Sequence, residues 1–262
     1  MSVSLQDLAW HQSVGKLIES LDHANFWTLL VRTLSLQVRF HSWVALLFSE
    51  GRPVVFAESP GPDGGPDELF QDYLRGLYLL DPFYLAAREL GSPTLLSLAD
   101  VAPECFERTD YYCRYFRLNV VADEVQFTVP LTGGRSLGLS LGANQAFTAE
   151  QLAILGLVQP WVIALLRQRM VFEREALSSP PPPEPDWRAR LESAATHTGA
   201  RLTTRELEVA RLTLSGASSK EIAHKLAISF ETVKVHRKHV YAKLGIGSQS
   251  ALFALFLQSQ QP

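Results

Sequence analysis

The sequence predicts an α+β chain of two modules, an N-terminal α/β/α domain on an antiparallel sheet and a C-terminal all-α domain of four short helices. Three observations support this fold class. Short apolar segments separated by turn residues occupy the first 145 positions, and a run of prolines follows at residues 180–183. After residue 200, apolar residues recur at helical spacing between N-capping and C-capping residues.

The proline run marks the boundary between the two modules. Residues 178–185 read Ser-Ser-Pro-Pro-Pro-Pro-Glu-Pro, a composition that forms neither helix nor sheet. Such a run is a semi-rigid polyproline spacer of ~3.1 Å per residue, about 25 Å in all. A ligand of SH3-type domains is the other interpretation, but the position between two modules favours a spacer. We predict a first domain over residues 1–172, a linker over 173–200 and a second domain over 201–262.

The elements of the first domain follow from apolar periodicity and from turn residues. In order, the sequence predicts helical structure over residues 5–36, strands over 43–48 and 53–57, and a glycine- and proline-rich loop over 60–66. Helical structure is then predicted over 69–80, again after Pro82 as far as residue 90, and over 103–116. Strands over 125–131 and 136–142 follow, and then a long apolar helix that begins with a capping box of Thr148 and Gln151.

Gly133 and Gly134 predict that the last two strands form a hairpin with a two-residue turn, since both glycines accept positive φ. That turn places Phe127 opposite Ser140, and large residues face small ones along the pair. The space beside Phe127 suits either a ligand cavity or a helix packed close to the sheet.

Capping residues divide residues 201–262 into four helices. The predicted caps are the capping boxes of Thr203 with Glu206 and of Ser218 with Glu221, the N-caps Ser229 and Ser248, and the C-terminal glycines Gly216 and Gly245. The second helix is short and the third is longer and basic, with a brief turn between them. This is a helix-turn-helix arrangement, in which the second helix of the pair can enter the major groove of DNA.

The third helix presents three residues to solvent that suit DNA recognition. Lys234 and Lys238 lie one turn apart, so both can donate to guanine or to phosphate. Val235 lies between them, where an apolar side chain has no folding role and a thymine methyl group gives it a contact.

Charge is distributed unevenly along the chain. Residues 201–262 hold nine Lys and Arg against four Glu, a net charge of +5, while the whole chain carries −3. Residues 1–200 therefore carry −8. The basic C-terminal end suits a polyanion, and the acidic remainder does not.

Residues 202–245 resemble the C-terminal DNA-binding domain of the LuxR/FixJ family of bacterial regulators. The matching residues are Leu202, Thr203, Arg205, Glu206, Glu208, Val209, Gly216, Lys220, Glu221, Ile222, Ala223, Leu226, Ile228, Ser229, Thr232, Val233, Lys234, His236, Lys243, Leu244 and Gly245. The match covers about a fifth of the chain.

This resemblance implies a homodimer that binds two-fold sites in double-stranded DNA, with RNA polymerase as a further candidate partner. The expected DNA contacts are Lys234, Val235 and Lys238 at bases, together with Lys220, Thr232, Arg237 and Lys243. The expected dimer contact is the fourth helix, through Leu252, Phe253, Leu255 and Phe256.

The order of elements in the first domain resembles the GAF/PAS-like sensor domain of LuxR-type regulators. In the acyl-homoserine-lactone receptors of that family an Asp-Pro pair follows aromatic residues, and its Asp receives an amide proton from the ligand. Asp81 followed by Pro82 matches that pair, but the tryptophan that those receptors carry beyond it is missing. The resemblance therefore implies a small-molecule inducer that is not clearly an acyl-homoserine lactone.

Asp81 has a second interpretation, as the N-cap of a helix with Pro82 at its first position. The full set of candidate ligand-binding residues is Tyr73, Tyr78, Asp81, Trp43, Phe127 and Ser140.

Other classes of protein lack support in the sequence. It contains no nucleophile–base set, no phosphate-binding glycine loop and no Cys/His zinc spacing, so we expect neither an enzyme nor a cofactor or metal. A signal peptide and an uninterrupted membrane span are also missing, which predicts a cytoplasmic protein. Two functions stay open: a regulator controlled by a ligand in the first domain, or one whose first domain only dimerises or docks another protein.

Overall fold

A computed structural model describes residues 8–49, 52–60, 68–120, 122–173, 187–196 and 199–258. The chain forms two compact units, each assembled from several segments. Unit 1 comprises residues 1–67, 86–100 and 120–183, and unit 2 comprises residues 68–85, 101–119 and 184–262. The predicted proline run and most of the predicted loop over 60–66 lie outside the described residues.

Unit 1 is built on a five-stranded antiparallel sheet of order β2-β1-β5-β4-β3. Its strands are β1 (Ser42–Phe48), β2 (Val54–Glu58), β3 (Thr94–Ser97), β4 (Asp123–Pro130) and β5 (Ser136–Ala143). The first two and the last two strands were predicted. Strand β3, which pairs with β4 at one edge of the sheet, was not.

The predicted register of the β4–β5 hairpin is wrong by one residue. Phe127 lies opposite Leu139 instead of Ser140, and Gln126 is the residue opposite Ser140. The turn has three residues, 132–134, and is closed by the Leu131 N–H, which donates to the Arg135 carbonyl at 2.8 Å. A third turn residue moves every side chain of one strand to the other face of the sheet. Phe127 and Ser140 therefore lie on opposite faces.

One face of the sheet carries the core of unit 1. Large side chains meet on this face along the β4–β5 pair, including Phe127 with Leu139 and Val129 with Leu137. Three helices contribute to the same core: α1 (Leu8–Glu19), α2 (Phe26–Ser35) and α7 (Ala149–Arg169). The capping box of Thr148 and Gln151 opens α7 as predicted.

The helical region predicted over residues 5–36 is two helices, because residues 20–25 form a turn. The buried guanidinium of Arg169 stabilises this turn. It donates to the carbonyls of Leu21 and His23 at 2.8 Å each, and it pairs with Glu173 at 2.7 Å. A distant cation thus binds two carbonyls of the turn between the helices.

Helix α7 is longer than the apolar stretch recognised in the sequence. It runs unbroken through Pro160 for 21 residues. By length and composition it could cross a membrane, a test that the core helix of a soluble protein passes equally. Seven of its residues are buried, among them Leu155, Val158 and Val162 in the unit 1 core.

Unit 2 contains two short segments from the first half of the chain. The first holds α3 (Glu68–Arg75), a 3-10 turn over Leu77–Leu80 and the start of α4 (Pro82–Ala87). The second begins with the end of α5 (Leu98–Val101) and holds a 3-10 turn over Phe106–Arg108, a π-helical turn over Tyr112–Phe116 and α6 (Arg117–Asn119). The continuous helix predicted over 103–116 is thus replaced by shorter turns.

Among its described residues, the C-terminal part of unit 2 forms five helices. They are α8 (Trp187–Thr196), α9 (Thr204–Leu214), α10 (Ser219–Lys225), α11 (Phe230–Leu244) and α12 (Gln249–Gln258). The last four were predicted. Helix α8 lies inside the segment predicted as linker, and its Leu191 and Ala195, one turn apart, are fully buried.

Candidate DNA interface

Side-chain caps fix the start of each helix in the pair α10–α11 and in the preceding α9. The predicted capping boxes are formed at Thr203 and at Ser218, and the Ser229 hydroxyl accepts from the Thr232 N–H at 3.0 Å. Each cap satisfies a backbone donor that a helix N-terminus otherwise leaves open. The helices therefore begin where the sequence predicted.

The ends of the same three helices share one backbone geometry. Gly216, Ala227 and Gly245 all have positive φ, of 93°, 52° and 66°. The next residue in each case donates back to the last turn, as Ile246 does to the Tyr241 carbonyl at 2.9 Å. This is the Schellman motif, and it sets the sharp turns that separate the helices. Ala227 adopts the conformation without being glycine.

A small apolar core holds α9, α10 and α11 together. Val209 and Leu212 of α9 pack with Ile222 of α10 and Val233 of α11, all fully or almost fully buried. Val240 and Leu244 continue the buried side of α11. These are the inner faces predicted from helical spacing, so the opposite side of α11 faces solvent.

An ion pair joins α9 to the C-terminal end of α11. The Glu206 carboxylate, 3% exposed, accepts from Lys243 Nζ at 2.7 Å and from the Thr203 N–H at 2.7 Å. Burial opposes the charge, but hydrogen bonds from Lys243 and Thr203 outweigh it and hold the pKa of this carboxyl below its ordinary value. Lys243 therefore stabilises the fold, with 29% of its side chain exposed. Its predicted contact with DNA phosphate stays a prediction.

The outward side of α11 carries the predicted recognition residues. Lys234 and Lys238 are exposed, and Val235 between them is 49% exposed. The Lys234 ammonium lies 3.1 Å from Glu231 Oε1 and 4.3 Å from the centre of the Phe230 ring. Exposed ion pairs contribute little, so Lys234 can exchange Glu231 for another anion at small cost.

Phe230, at the N-terminus of α11, is a residue that sequence reasoning missed. It is 40% exposed and stacks under the Lys234 ammonium. An exposed aromatic residue directly after the N-cap Ser229 was the available signal. Its position next to the recognition residues makes it part of the same surface.

The remaining predicted DNA contacts lie beside this surface, and they differ in exposure and in the hydrogen bonds they already make. Lys220 is exposed in the first turn of α10. Arg237 is half-buried and lies 3.4 Å from the Ser219 hydroxyl, and the Thr232 hydroxyl is 2.8 Å from that of Ser229. Lys220 is thus placed for an added anion, whereas Arg237 and Thr232 already have partners within the helix pair.

The residues of α12 predicted as a dimer contact pack inside unit 2. Leu252, Phe253 and Phe256 are buried within unit 2, and Leu255 is half-buried. The Arg114 guanidinium lies 5.6 Å from the centre of the Phe253 ring. The apolar side of α12 is therefore covered inside the unit, where it packs against α8 and α9. A dimer contact through α12 stays a prediction.

The predicted ligand residues of unit 2 contact one another. Tyr73 donates its hydroxyl proton to Asp81 Oδ2 at 2.6 Å, and the Phe83 N–H donates to Asp81 Oδ1 at 2.8 Å. The Tyr73 and Tyr78 rings meet edge to face at 6.3 Å. Asp81 thus caps α4, with Pro82 at the first helical position, as expected of an N-cap. Its role toward a ligand stays a prediction.

Burial changes the acidity of this pair. It raises the pKa of Asp81 to about 6, although hydrogen bonds from Tyr73 and Phe83 act in the opposite direction. Burial and the neighbouring Asp81 also raise the pKa of Tyr73 well above its ordinary value.

The predicted ligand residues of unit 1 lie at different places on the sheet. Phe127 is buried in the core, Trp43 packs against that core and Ser140 lies on the other face. Ser140 donates to Gln126 Oε1 at 2.8 Å, and Gln126 Nε2 donates to the Thr128 hydroxyl at 2.8 Å. This buried polar network escaped the sequence reasoning because the wrong register hid it.

Comparison with known proteins matches residues 200–256 to the family described as "Bacterial regulatory proteins, luxR family". The chain is 35% identical over 184 residues to a putative HTH-type transcriptional regulator of Aeromonas salmonicida, covering 68% of this chain and 93% of that protein. It is 26% identical over 187 residues to the monoamine regulon transcriptional regulator of Klebsiella aerogenes, covering 71% of each.

A solved structure resembles part of the chain. The VqsR LBD domain from Pseudomonas aeruginosa is 45% identical and superposes with a TM-score of 0.59. The similarity covers 63% of this chain and 98% of that domain.

Proposed function

This chain belongs to the luxR family of bacterial regulatory proteins and is a DNA-binding transcriptional regulator; we propose that α11 reads a two-fold operator as part of a homodimer that a small molecule controls. The exposed triplet of Lys234, Val235 and Lys238 carries the first part of this proposal. An apolar side chain between two cations on a solvent face gains nothing from folding. In the major groove it meets thymine methyl groups while the cations meet guanine or phosphate.

The structure around α11 supports base reading rather than loose attraction to DNA. Specific recognition requires side chains held on a rigid element. Helix α11 is capped at both ends, anchored to α9 through Glu206 and Lys243, and packed on its inner side through Val233 and Val240. The net charge of +5 over residues 201–262 adds the electrostatic attraction that every DNA-binding protein needs.

The experiment selects the operator from random duplexes with the full chain and then measures affinity by fluorescence anisotropy. We expect Lys234→Ala and Lys238→Ala each to lower affinity about 5- to 150-fold, the range for a lost base contact. Lys16→Ala is the matched control, since Lys16 is an exposed lysine of unit 1. If all three variants bind the selected operator like the parent, α11 is not the reading element.

Control by a small molecule rests on the first part of the chain. The relative of known structure is described as an LBD domain, and it matches this chain at 45% identity. Gln126, Thr128 and Ser140 form a buried polar network on the sheet face opposite the core, a neutral set that suits an uncharged polar group. We infer a neutral ligand and a cytoplasmic site of action.

Native mass spectrometry of the full chain purified from its host tests ligand control. A bound molecule of defined mass, lost in Gln126→Leu but kept in the exposed-site variant Gln168→Leu, supports the inference. Operator affinity is also compared with and without host extract, and with and without bound ligand. Equal affinities favour the alternative function, in which residues 1–172 only dimerise or dock a protein.

A further inference from the structure

Phe230, the first residue of α11, is an apolar side chain that the fold leaves partly open. It is 40% exposed and directly follows the N-cap Ser229. An apolar residue near a helix start commonly serves a hydrophobic staple, in which the residue before the N-cap packs against the fourth helical residue. Ile228 and Val233 occupy those two positions, and both pack in the small core of α9, α10 and α11. They supply the staple, so it does not account for Phe230.

Phe230 begins a row of side chains on the solvent side of α11. Lys234 follows it by four residues and Lys238 by eight, and residues four apart lie on the same side of a helix. All three are exposed, whereas Val233 and Val240 are buried on the inner side. In helix-turn-helix proteins the N-terminal residues of the recognition helix contact base edges. Phe230 therefore lies where a base contact is expected.

In the free chain the Lys234 ammonium lies over the Phe230 ring, 4.3 Å from its centre, and 3.1 Å from Glu231 Oε1. Exposed contacts of both kinds hold a lysine only weakly. When Lys234 turns to guanine or phosphate, as the proposed function requires, it leaves the face of the ring uncovered. An apolar group in the groove that covers the ring then stabilises the complex.

The major groove presents one apolar group at its base edges, the 5-methyl group of thymine, and phenylalanine is among the side chains that contact it. The other groups at these edges are hydrogen-bond donors and acceptors, which a phenylalanine ring cannot pair with. Phe230 and Lys234 are about 6 Å apart along the helix axis, at about 1.5 Å per residue, and base pairs are about 3.4 Å apart. The two side chains therefore reach positions within about two base pairs of each other.

We propose that Phe230 is a specificity-determining residue of the DNA interface, which selects thymine through contact of its ring with the 5-methyl group. The proposal deepens the proposed function and rests on it, because Phe230 meets bases only if α11 lies in the major groove. The thymine that it selects is a second one, beyond the thymine contacted by Val235. Cytosine lacks the methyl group and is therefore disfavoured at that position.

Deoxyuridine substitution tests the contact, because it removes the 5-methyl group of thymine and leaves base pairing unchanged. Each thymine of the selected operator is replaced singly, and the affinity of the full chain is measured by fluorescence anisotropy. We expect at least one thymine in each half-site whose replacement lowers the affinity of the parent about 4-fold, the value for one buried methyl group. The same replacement should leave the affinity of the Phe230→Ala chain unchanged, since that chain has already lost the methyl contact.

Two further variants separate the methyl contact from other roles of the ring. Phe230→Leu removes the ring under Lys234 but keeps an apolar side chain, so it should retain the dependence on the methyl group. Phe172→Ala is the matched control, because Phe172 is a 51% exposed phenylalanine outside α11, and it should retain every methyl dependence of the parent. A Phe230→Ala chain that keeps every methyl dependence overturns the proposal. If its affinity for the operator nevertheless falls, Phe230 only positions Lys234.

A second measurement returns the methyl group on a different base and needs only the parent chain for its main result. The thymine that depends on Phe230 is replaced, together with its pairing partner, by a base pair of cytosine or of 5-methylcytosine with guanine. The methyl group should raise the affinity of the parent about 4-fold and leave that of Phe230→Ala unchanged. Equal affinities of the parent for the two duplexes contradict the proposal.

The proposed function has separate signs of failure. A parent chain that selects no operator, or whose Lys234→Ala and Lys238→Ala variants bind the operator like the parent, refutes α11 as the reading element. The contact of Phe230 with thymine then falls with it. Lysine variants that bind weakly, while no methyl dependence is lost in Phe230→Ala, refute the role of Phe230 alone.

Discussion

Replacing Glu206 with Gln tests how the DNA-reading helix is anchored. The substitution keeps the shape of the side chain and leaves an amide oxygen that can still accept from the Thr203 N–H, because Gln also serves in a capping box. It removes the negative charge next to Lys243, whose Nζ lies 2.7 Å from Glu206 Oε2. The ammonium is then left without its carboxylate partner.

The magnitude follows from the burial of the pair. Glu206 is 3% exposed, and the Lys243 side chain keeps 29% exposure, so the lysine can recover part of its hydration. A hydrogen bond to a charged group contributes about 1.5–3 kcal/mol. We therefore expect Glu206→Gln to destabilise the packing of α9 on α11 by roughly 2 kcal/mol.

Glu208→Gln is the matched control two residues along the same helix. Glu208 pairs with Arg205 at 2.9 Å, with both side chains well exposed. Exposed pairs of this kind contribute about 0–1 kcal/mol. The control therefore removes one carboxylate and one ion pair from α9 without uncovering a buried charge.

Hydrogen exchange of the full chain, followed by mass spectrometry on α9 and α11 peptides, measures the local effect. A decrease of roughly 2 kcal/mol in the free energy of opening corresponds to about 30-fold faster exchange in the slowest amides. The pKa of Glu206 is lowered in the fold, so its contribution is present at neutral pH and is lost as pH falls through that pKa. Equal exchange in the Glu206→Gln and Glu208→Gln chains at pH 7 would refute the anchoring role.

Three further predictions follow from the structure. Burial raises the pKa of Asp81 to about 6, above that of the same carboxyl in the unfolded chain, so the free energy of unfolding falls by roughly 3 kcal/mol as pH rises from about 4 to 6. Asp81→Asn should lack this loss. Melting temperatures that fall in parallel for both chains would contradict the prediction. Ala227 has φ 52°, a conformation that costs about 1 kcal/mol in residues other than glycine, so Ala227→Gly should slow hydrogen exchange in α10. Faster exchange would show that the larger conformational entropy of glycine in the unfolded chain has the greater effect. Lys220→Ala should reduce the slope of log affinity against log salt by about 1 on any duplex, as one lost phosphate contact requires; an unchanged slope removes Lys220 from the interface.

The C-terminal helices could be predicted closely because their signals are local. A capping box joins residues three apart, so Thr203 with Glu206 can be recognised without knowing the fold. The same holds for Gly216 and Gly245, whose positive φ ends a helix whatever packs around it. The exposed triplet on α11 followed from these boundaries, and the structure confirms its exposure.

The hairpin register shows where local signals fail. Gly133 and Gly134 both adopt positive φ, as predicted, but Thr132 joins them in the turn. Nothing in the residue pattern distinguishes a two-residue from a three-residue turn here, since both faces of the strands are apolar enough to be buried. One added residue reversed the faces and concealed the Gln126 network.

Long-range packing accounts for the other differences. The burial of Phe253 depends on other helices of unit 2, α8 and α9, which no periodicity within α12 reveals. The turn between α1 and α2 depends on Arg169, almost 150 residues away. The spacing of Leu191 and Ala195, one helical turn apart, could have predicted helix α8. The neighbouring prolines led instead to the prediction of a linker.

Dimethyl sulfate footprinting on the selected operator tests most directly whether α11 lies in the major groove. The reagent methylates guanine N7 in the major groove and adenine N3 in the minor groove. We predict N7 protection in two half-sites about one helical turn apart, with protection of individual guanines lost in Lys238→Ala. Unprotected N7 positions, or protection confined to adenine N3, would contradict the account of α11 as the reading helix.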